Sequence, residues 1–165
     1  MSAAEIIAHY RLETLPGEGG YFARFYTHAK GDLQGRRLAS AIYYLITGES
    51  FSAMHRLASD ELFHFYEGHT VEMLQLSENG EGRLLRLGAG YHRNEQRAVL
   101  VPGGCWQGLR LPDDAPEGAY AFFGVSVHPE FRWEEFILGD RDTLCSMYPR
   151  WKQNIERLTR PTVEK

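Results

Sequence analysis

Residues 55 to 68, HRLASDELFHFYEG, bring two histidines, His55 and His64, close to the carboxylates Asp60 and Glu61, and a glycine, Gly68, ends the stretch. Imidazole and carboxylate are ligands that zinc, iron and copper accept. A histidine oriented by a carboxylate can also move a proton near neutral pH. Two chemistries are therefore open. A divalent metal could be held by His55, Glu61, His64 and the distant Gln107. Without a metal, His55 could act as a general base with Glu61 as its partner, and Tyr66, Tyr43 or Tyr44 could supply a second proton.

Which chemistry is possible depends on the elements that carry these residues. Residues 21 to 138 read as a succession of short strands rich in β-branched and aromatic residues: YFARFYT, RLASAIYYLIT, FSAMHR, ELFHFYEG, TVEMLQLS, GRLLRLG, RAVLVP, WQGLRL, GAYAFFGVSV and RWEEFIL, separated by Gly, Pro, Asn or Asp. Ten such strands predict a sandwich or barrel. On an unbroken strand Glu61, Phe63 and Phe65 share one face, while Leu62, His64 and Tyr66 share the other. His64 can join Glu61 only if a bulge intervenes. The start of the chain, Ser2-Ala3-Ala4-Glu5, has the form of a capping box and predicts a helix of about ten residues that ends before LPGEGG. After Gly139, an Asp in capping position, Pro149 in a first turn and the apolar Ile155 and Leu158 predict C-terminal helices. The expectation is one domain over 1–165, with a helix and turn at 1–20, β structure over 21–138 and a helical cap over 139–165.

Composition narrows the function. The 165 residues carry a net charge of −4 with scattered Lys and Arg, which excludes the basic footprint of a nucleic-acid binder. Cys105 and Cys145 are the two cysteines, far apart and outside any CxxC context, and read as reduced packing residues. The first residues lack a basic segment before an apolar run, and no apolar stretch is long enough to span a membrane, so a soluble cytoplasmic protein is expected.

The motifs also carry a family resemblance. Glu61, six residues and then Gly68, with His55 before them, resembles the first motif of the cupin superfamily, and PGGCWQ at 102–107 resembles the second through Pro102 and Gly104. EGGYF, AIYYLI, HRLASDELFHFYEG, VPGGCWQG and EEFILGDRD in that order resemble one uncharacterised cupin family of the rhamnose-epimerase-like type. The resemblance implies an all-β fold, the double-stranded β-helix or jelly-roll barrel, with a pocket in the barrel mouth and commonly a homodimer. It also implies four metal-ligand positions, of which Leu57 and Gln107 here lack the imidazole. The chain departs from that family further at Pro16-Gly17 and at Ala23, Arg24 and Phe25, where His-Pro and Arg-Glu-Thr are usual.

Three functions then compete for one pocket. The first is binding of a small polar metabolite, such as a sugar or sugar nucleotide, by Tyr43, His55, Glu61, Phe63, His64, Trp106 and Gln107, with no cofactor. The second is sugar epimerisation or isomerisation without a metal, using His55, Glu61 and Tyr66. The third is a metal-dependent enzyme with an irregular ligand set.

Overall fold

The computed structural model describes residues 1–161. A helix, α1 (Ala3–Tyr10), opens the chain. Its capping box forms in full: the Ser2 hydroxyl accepts from the Glu5 amide and the Glu5 carboxylate accepts from the Ser2 amide, so two of the donors left over at a helix start are satisfied. Eleven strands follow: β1 (Glu13–Thr14), β2 (Tyr21–Thr27), β3 (Ser40–Thr47), β4 (Ser52–Arg56), β5 (Asp60–Gly68), β6 (Val71–Leu76), β7 (Gly82–Leu87), β8 (Ala98–Val101), β9 (Trp106–Arg110), β10 (Tyr120–His128) and β11 (Ile137–Leu138). Two short helices, α2 (Arg141–Met147) and α3 (Lys152–Arg157), end the described chain. Asp140 caps α2, and Pro149 sits in the first turn of the 3-10 segment that leads into α3.

The strands form two antiparallel sheets, ordered β1-β2-β3-β10-β5-β8 and β11-β4-β9-β6-β7. This is the sandwich that the strand pattern predicts, in the jelly-roll form that the resemblance implies. The inner faces enclose a core of Tyr44, Ile46, Phe63, Phe65, Met73, Leu109 and Phe123. Both sheets also bury part of their outer faces, which explains why so many strands are apolar on two sides. Ile6 of helix α1, and Leu12 just after it, cover Leu45 and Phe122 of the first sheet. Helices α2 and α3 cover Met54, Leu74, Leu76 and Trp106 of the second through Leu144 and Ile155.

One expected strand is mostly absent. Over RWEEFIL only Ile137–Leu138 pair as a strand, while Trp133–Glu135 form a 3-10 turn. The physical reason is the packing of Phe131, Trp133 and Phe136 edge-on against one another, with ring centroids 4.9 to 6.3 Å apart. A flat strand would send Phe136 to the face opposite Phe131 and Trp133.

Strand β5 decides the site. Its pairing with β10 runs without a break from Glu61 opposite Val127 to Phe65 opposite Phe123, and then skips Tyr66 before Glu67 meets Phe122. A bulge therefore exists, but it falls after His64. Gly68 closes the strand at φ +107°, and a β-carbon there would lie 2.3 Å from the Tyr120 carbonyl oxygen. Gly80, in the β6–β7 turn, has φ +86° but open space around it. We expect Gly68→Ala to cost about 2–3 kcal/mol, combining a strained backbone with a steric clash. Gly80→Ala should cost about 1 kcal/mol for the left-handed conformation alone. Urea denaturation of the two variants checks the ranking, and equal losses would contradict it.

Candidate functional site

His55 projects from β4 into the space between the sheets and is only 2% exposed. Its Nδ1 lies 2.8 Å from the Ala53 carbonyl, which can only accept, so Nδ1 carries a proton and Nε2 is left to face the site. Glu61 arrives from β5 on the opposite sheet, with its Oε1 3.9 Å from that Nε2. Gln107, next to His55 across the β4–β9 pair, supplies the link: its amide nitrogen donates to Glu61 Oε1 in a short hydrogen bond and lies 3.3 Å from His55 Nε2. Phe136 stacks on the imidazole at 5.3 Å.

A second carboxylate completes the floor, and it is one that reading the sequence did not single out. Glu18 Oε2 stands 3.8 Å from His55 Nε2. It sits in the turn between β1 and β2, its Oε1 accepting from the Ser52 hydroxyl at 2.7 Å while its own carbonyl accepts from the Ala53 amide. Gly19, at φ +105°, lets that turn lie against the Phe51 carbonyl, where a β-carbon would come within 2.4 Å. The buried Tyr44 hydroxyl donates to the Gly19 carbonyl at 2.8 Å, and Arg160 donates to the carbonyls of Gly17 and Glu18. The signal was present in EGG: a carboxylate set in a turn with two glycines that let backbone approach backbone.

These groups form the floor of a cavity that holds about 650 Å³ of empty space, its open mouth included. Its walls are mostly apolar: Phe22, Ile42, Leu57, Phe63, Val125 and Val127, with Phe131, Trp133 and Phe136 over the top. The aromatic segment is pinned at the rim, where Arg36 donates to Glu135 at 2.6 Å, to Ser59 at 2.8 Å and to the Glu130 carbonyl.

The structure brings together only some of the expected site residues. His55, Glu61, Phe63 and Gln107 converge. His64 does not, because the unbroken run from Glu61 to Phe65 turns it to the outer face, where it is exposed. Tyr66, in the bulge, is 46% exposed and lies across Gly124 on the outer face, so it reaches neither His55 nor Glu61. Tyr43 packs outward against Tyr10, Phe25 and Phe122. Trp106 points away from the barrel interior into the cluster under α2 and α3, with Arg56 over its ring. Tyr44 lines the cavity, but burial, reinforced by Glu18, pushes its phenol well above the usual range. It therefore stays protonated and positions the turn.

The donor set does not fit the metal that a cupin barrel would imply. Of the four ligand positions, Leu57 has no donor atom and is part of the apolar wall. Gln107 turns its amide nitrogen, which cannot bind a cation, toward Glu61 and His55. Among the described residues, no group of three or more His, Cys, Asp or Glu is arranged to hold a metal ion.

A family model described as Cupin superfamily (DUF985) matches residues 4–139. The chain belongs to this cupin family. The DUF985 cupin is similar to protein SO0799 from Shewanella oneidensis, at 30% identity and a TM-score of 0.89, over 98% of this chain and 99% of that one. It is also similar to a hypothetical protein from Leishmania major, at 26% identity and a TM-score of 0.88, over 98% and 100% of the two chains. Oxalate decarboxylase from Bacillus subtilis shares the fold at 14% identity and a TM-score of 0.57, over 100% of this chain and 39% of that one. No curated protein matches the sequence. No helix among the described residues of the DUF985 cupin is long and apolar enough to cross a membrane.

Proton affinity at the floor is shifted on both sides. Burial raises the Glu61 carboxyl from its ordinary 4.5 to about 7, against the opposing pull of His55. Burial alone would lower His55, but Glu18 and Glu61, helped by the Ala53 carbonyl, raise it above its ordinary 6.5. Between pH 5 and 8 the folded protein thus binds more protons than the unfolded chain, so stability falls as pH rises through this window. Urea midpoints should be lower at pH 8 than at pH 5.5. Glu61→Gln, which keeps an acceptor for Gln107, should flatten the slope; a wild-type midpoint that rises with pH would contradict the assignment.

Proposed function

We propose that this cupin binds a small metabolite in the barrel mouth, its apolar body between the aromatic rings and its polar end at His55. The observation that carries this reading is the shape of the cavity, with apolar walls closing on a few convergent polar groups, the usual composition of a small-molecule site. Burying His55, Glu61 and Glu18 together is costly and contributes little to stability, which favours a role in recognition or chemistry over a structural one. A thermal-shift screen of metabolites should find a stabilising ligand, worth about 2.7 kcal/mol at a hundred times its dissociation constant. The gain should disappear in His55→Ala and shrink in Phe136→Ala. A ligand that stabilises His55→Ala as well as wild type would place binding elsewhere.

A second reading, proton transfer by His55, is favoured by the protons held at the floor near neutral pH. With Nδ1 fixed by the Ala53 carbonyl, Nε2 is the atom that exchanges the proton, and Glu61 and Glu18 stabilise the charged ring. A carbonyl-containing ligand from the screen, incubated in D2O, should gain deuterium on the carbon next to its carbonyl with wild type but not with His55→Gln. Absence of incorporation would leave binding alone.

We also propose a homodimer. The outer face of the first sheet leaves Phe25, Tyr26, Tyr66 and Leu100 between 45% and 49% exposed, an apolar strip that a second copy would cover. Light scattering should give twice the 18.9 kDa of one chain, and a monomer mass at micromolar concentration would refute it.

A further inference from the structure

The two ends of the cavity differ in charge. The floor carries the carboxylates Glu18 and Glu61. On β2, Phe22 and Arg24 share the inward face, and both line the cavity, as do Tyr44 and Ile42, their partners across the β2–β3 pair. Arg24 is exposed while Phe22 is half-buried, which puts the arginine at the mouth. Its guanidinium makes no hydrogen bond or ion pair among the described residues. Two other arginines near the aromatic segment are already engaged: Arg36 by Glu135, and Arg132 by Glu130 at 4.0 Å. An arginine left without a partner beside the entrance to a buried polar site has five donors available in a fork that matches a carboxylate or phosphate.

Resting on the reading that the cavity binds a metabolite, we propose that Arg24 selects ligands bearing a carboxylate or phosphate, held at the mouth while a neutral hydroxyl or carbonyl reaches His55. The polarity of the cavity orients such a molecule. Its oxyanion is attracted to the unpartnered Arg24 at the mouth, whereas at the floor His55 already faces Glu18 and Glu61 and offers it no free cation, so it enters neutral end first. Along β2 the step from the wall residue Phe22 to Arg24 is two residues of strand, about 7 Å, before the reach of the arginine side chain is added. One ring or sugar with a short acidic arm covers it. Arg24 acts here as a specificity-determining residue, and the proton chemistry remains with His55.

The test uses probes that differ only in the charged end. Binding of 3-(4-hydroxyphenyl)propanoate, its carboxamide and 2-(4-hydroxyphenyl)ethyl phosphate is measured by calorimetry at low salt. Wild type should bind at least one anion about tenfold tighter than the carboxamide, the advantage expected of a charge-assisted hydrogen bond. Which anion binds tighter identifies the oxyanion. Arg24→Gln should bind all three within about twofold of one another. Arg24→Glu should prefer the cation 2-(4-hydroxyphenyl)ethylamine, a gain that a misfolded variant cannot show. If wild type binds the carboxamide as tightly as the anions, or binds none of the probes, the assignment of Arg24 is overturned. The metabolite screen with His55→Ala decides the cavity itself, so the two readings fail separately.

Discussion

The side-chain amide of Gln107 joins the two sheets at the bottom of the cavity, and the site depends on it. It leaves the second sheet, donates to Glu61 on the first, and lies beside the Nε2 of its neighbour His55. Without such a donor, a carboxylate buried between two apolar sheets would face the imidazole, itself held by the Ala53 carbonyl, with no hydrogen bond of its own. The arrangement explains how Gln can stand at a position where a cupin commonly has a metal-binding histidine. Its hydrogen bond lowers the proton affinity of Glu61, while burial and Glu18 raise it more, and the carboxyl settles near neutrality.

Much of the fold was legible because periodicity carries it. Strands of period two, the Ser2–Glu5 capping box and the glycine that closes β5 are local features, and each appears where the residues place it. RWEEFIL misled because three aromatic rings gain more by packing together than a strand gains from two pairing positions. The site was legible where a family motif met strand parity, at His55, Glu61 and Gln107. Parity also gave the correct warning about His64, which a bulge three residues earlier would have turned inward.

Trp106 precedes the inward-facing Gln107 on β9, so strand parity turns its ring out of the barrel interior, under helices that begin 35 residues later. Other site residues depend on long-range contacts that no local pattern encodes. Nothing in LPGEGG states that its glutamate will meet a histidine 37 residues on. Tyr43 and Tyr44 are adjacent and chemically alike, yet one packs under α1 and the other lines the cavity. Composition cannot separate them; only the facing of β3 does.

The clamp on the Glu18 turn has a consequence for biosynthesis. Arg160, which follows α3, donates to the carbonyls of Gly17 and Glu18 and packs over the Phe51 ring at 5.1 Å. A nascent chain that has released every strand through β11 can pair both sheets, yet it still lacks the side chain that fastens this turn. The Glu18 turn, already held by Ser52, Ala53 and Tyr44, therefore gains its last hydrogen bonds only after translation has passed residue 160. Truncated or half-made copies would carry a barrel whose Glu18 turn lacks this last fastening.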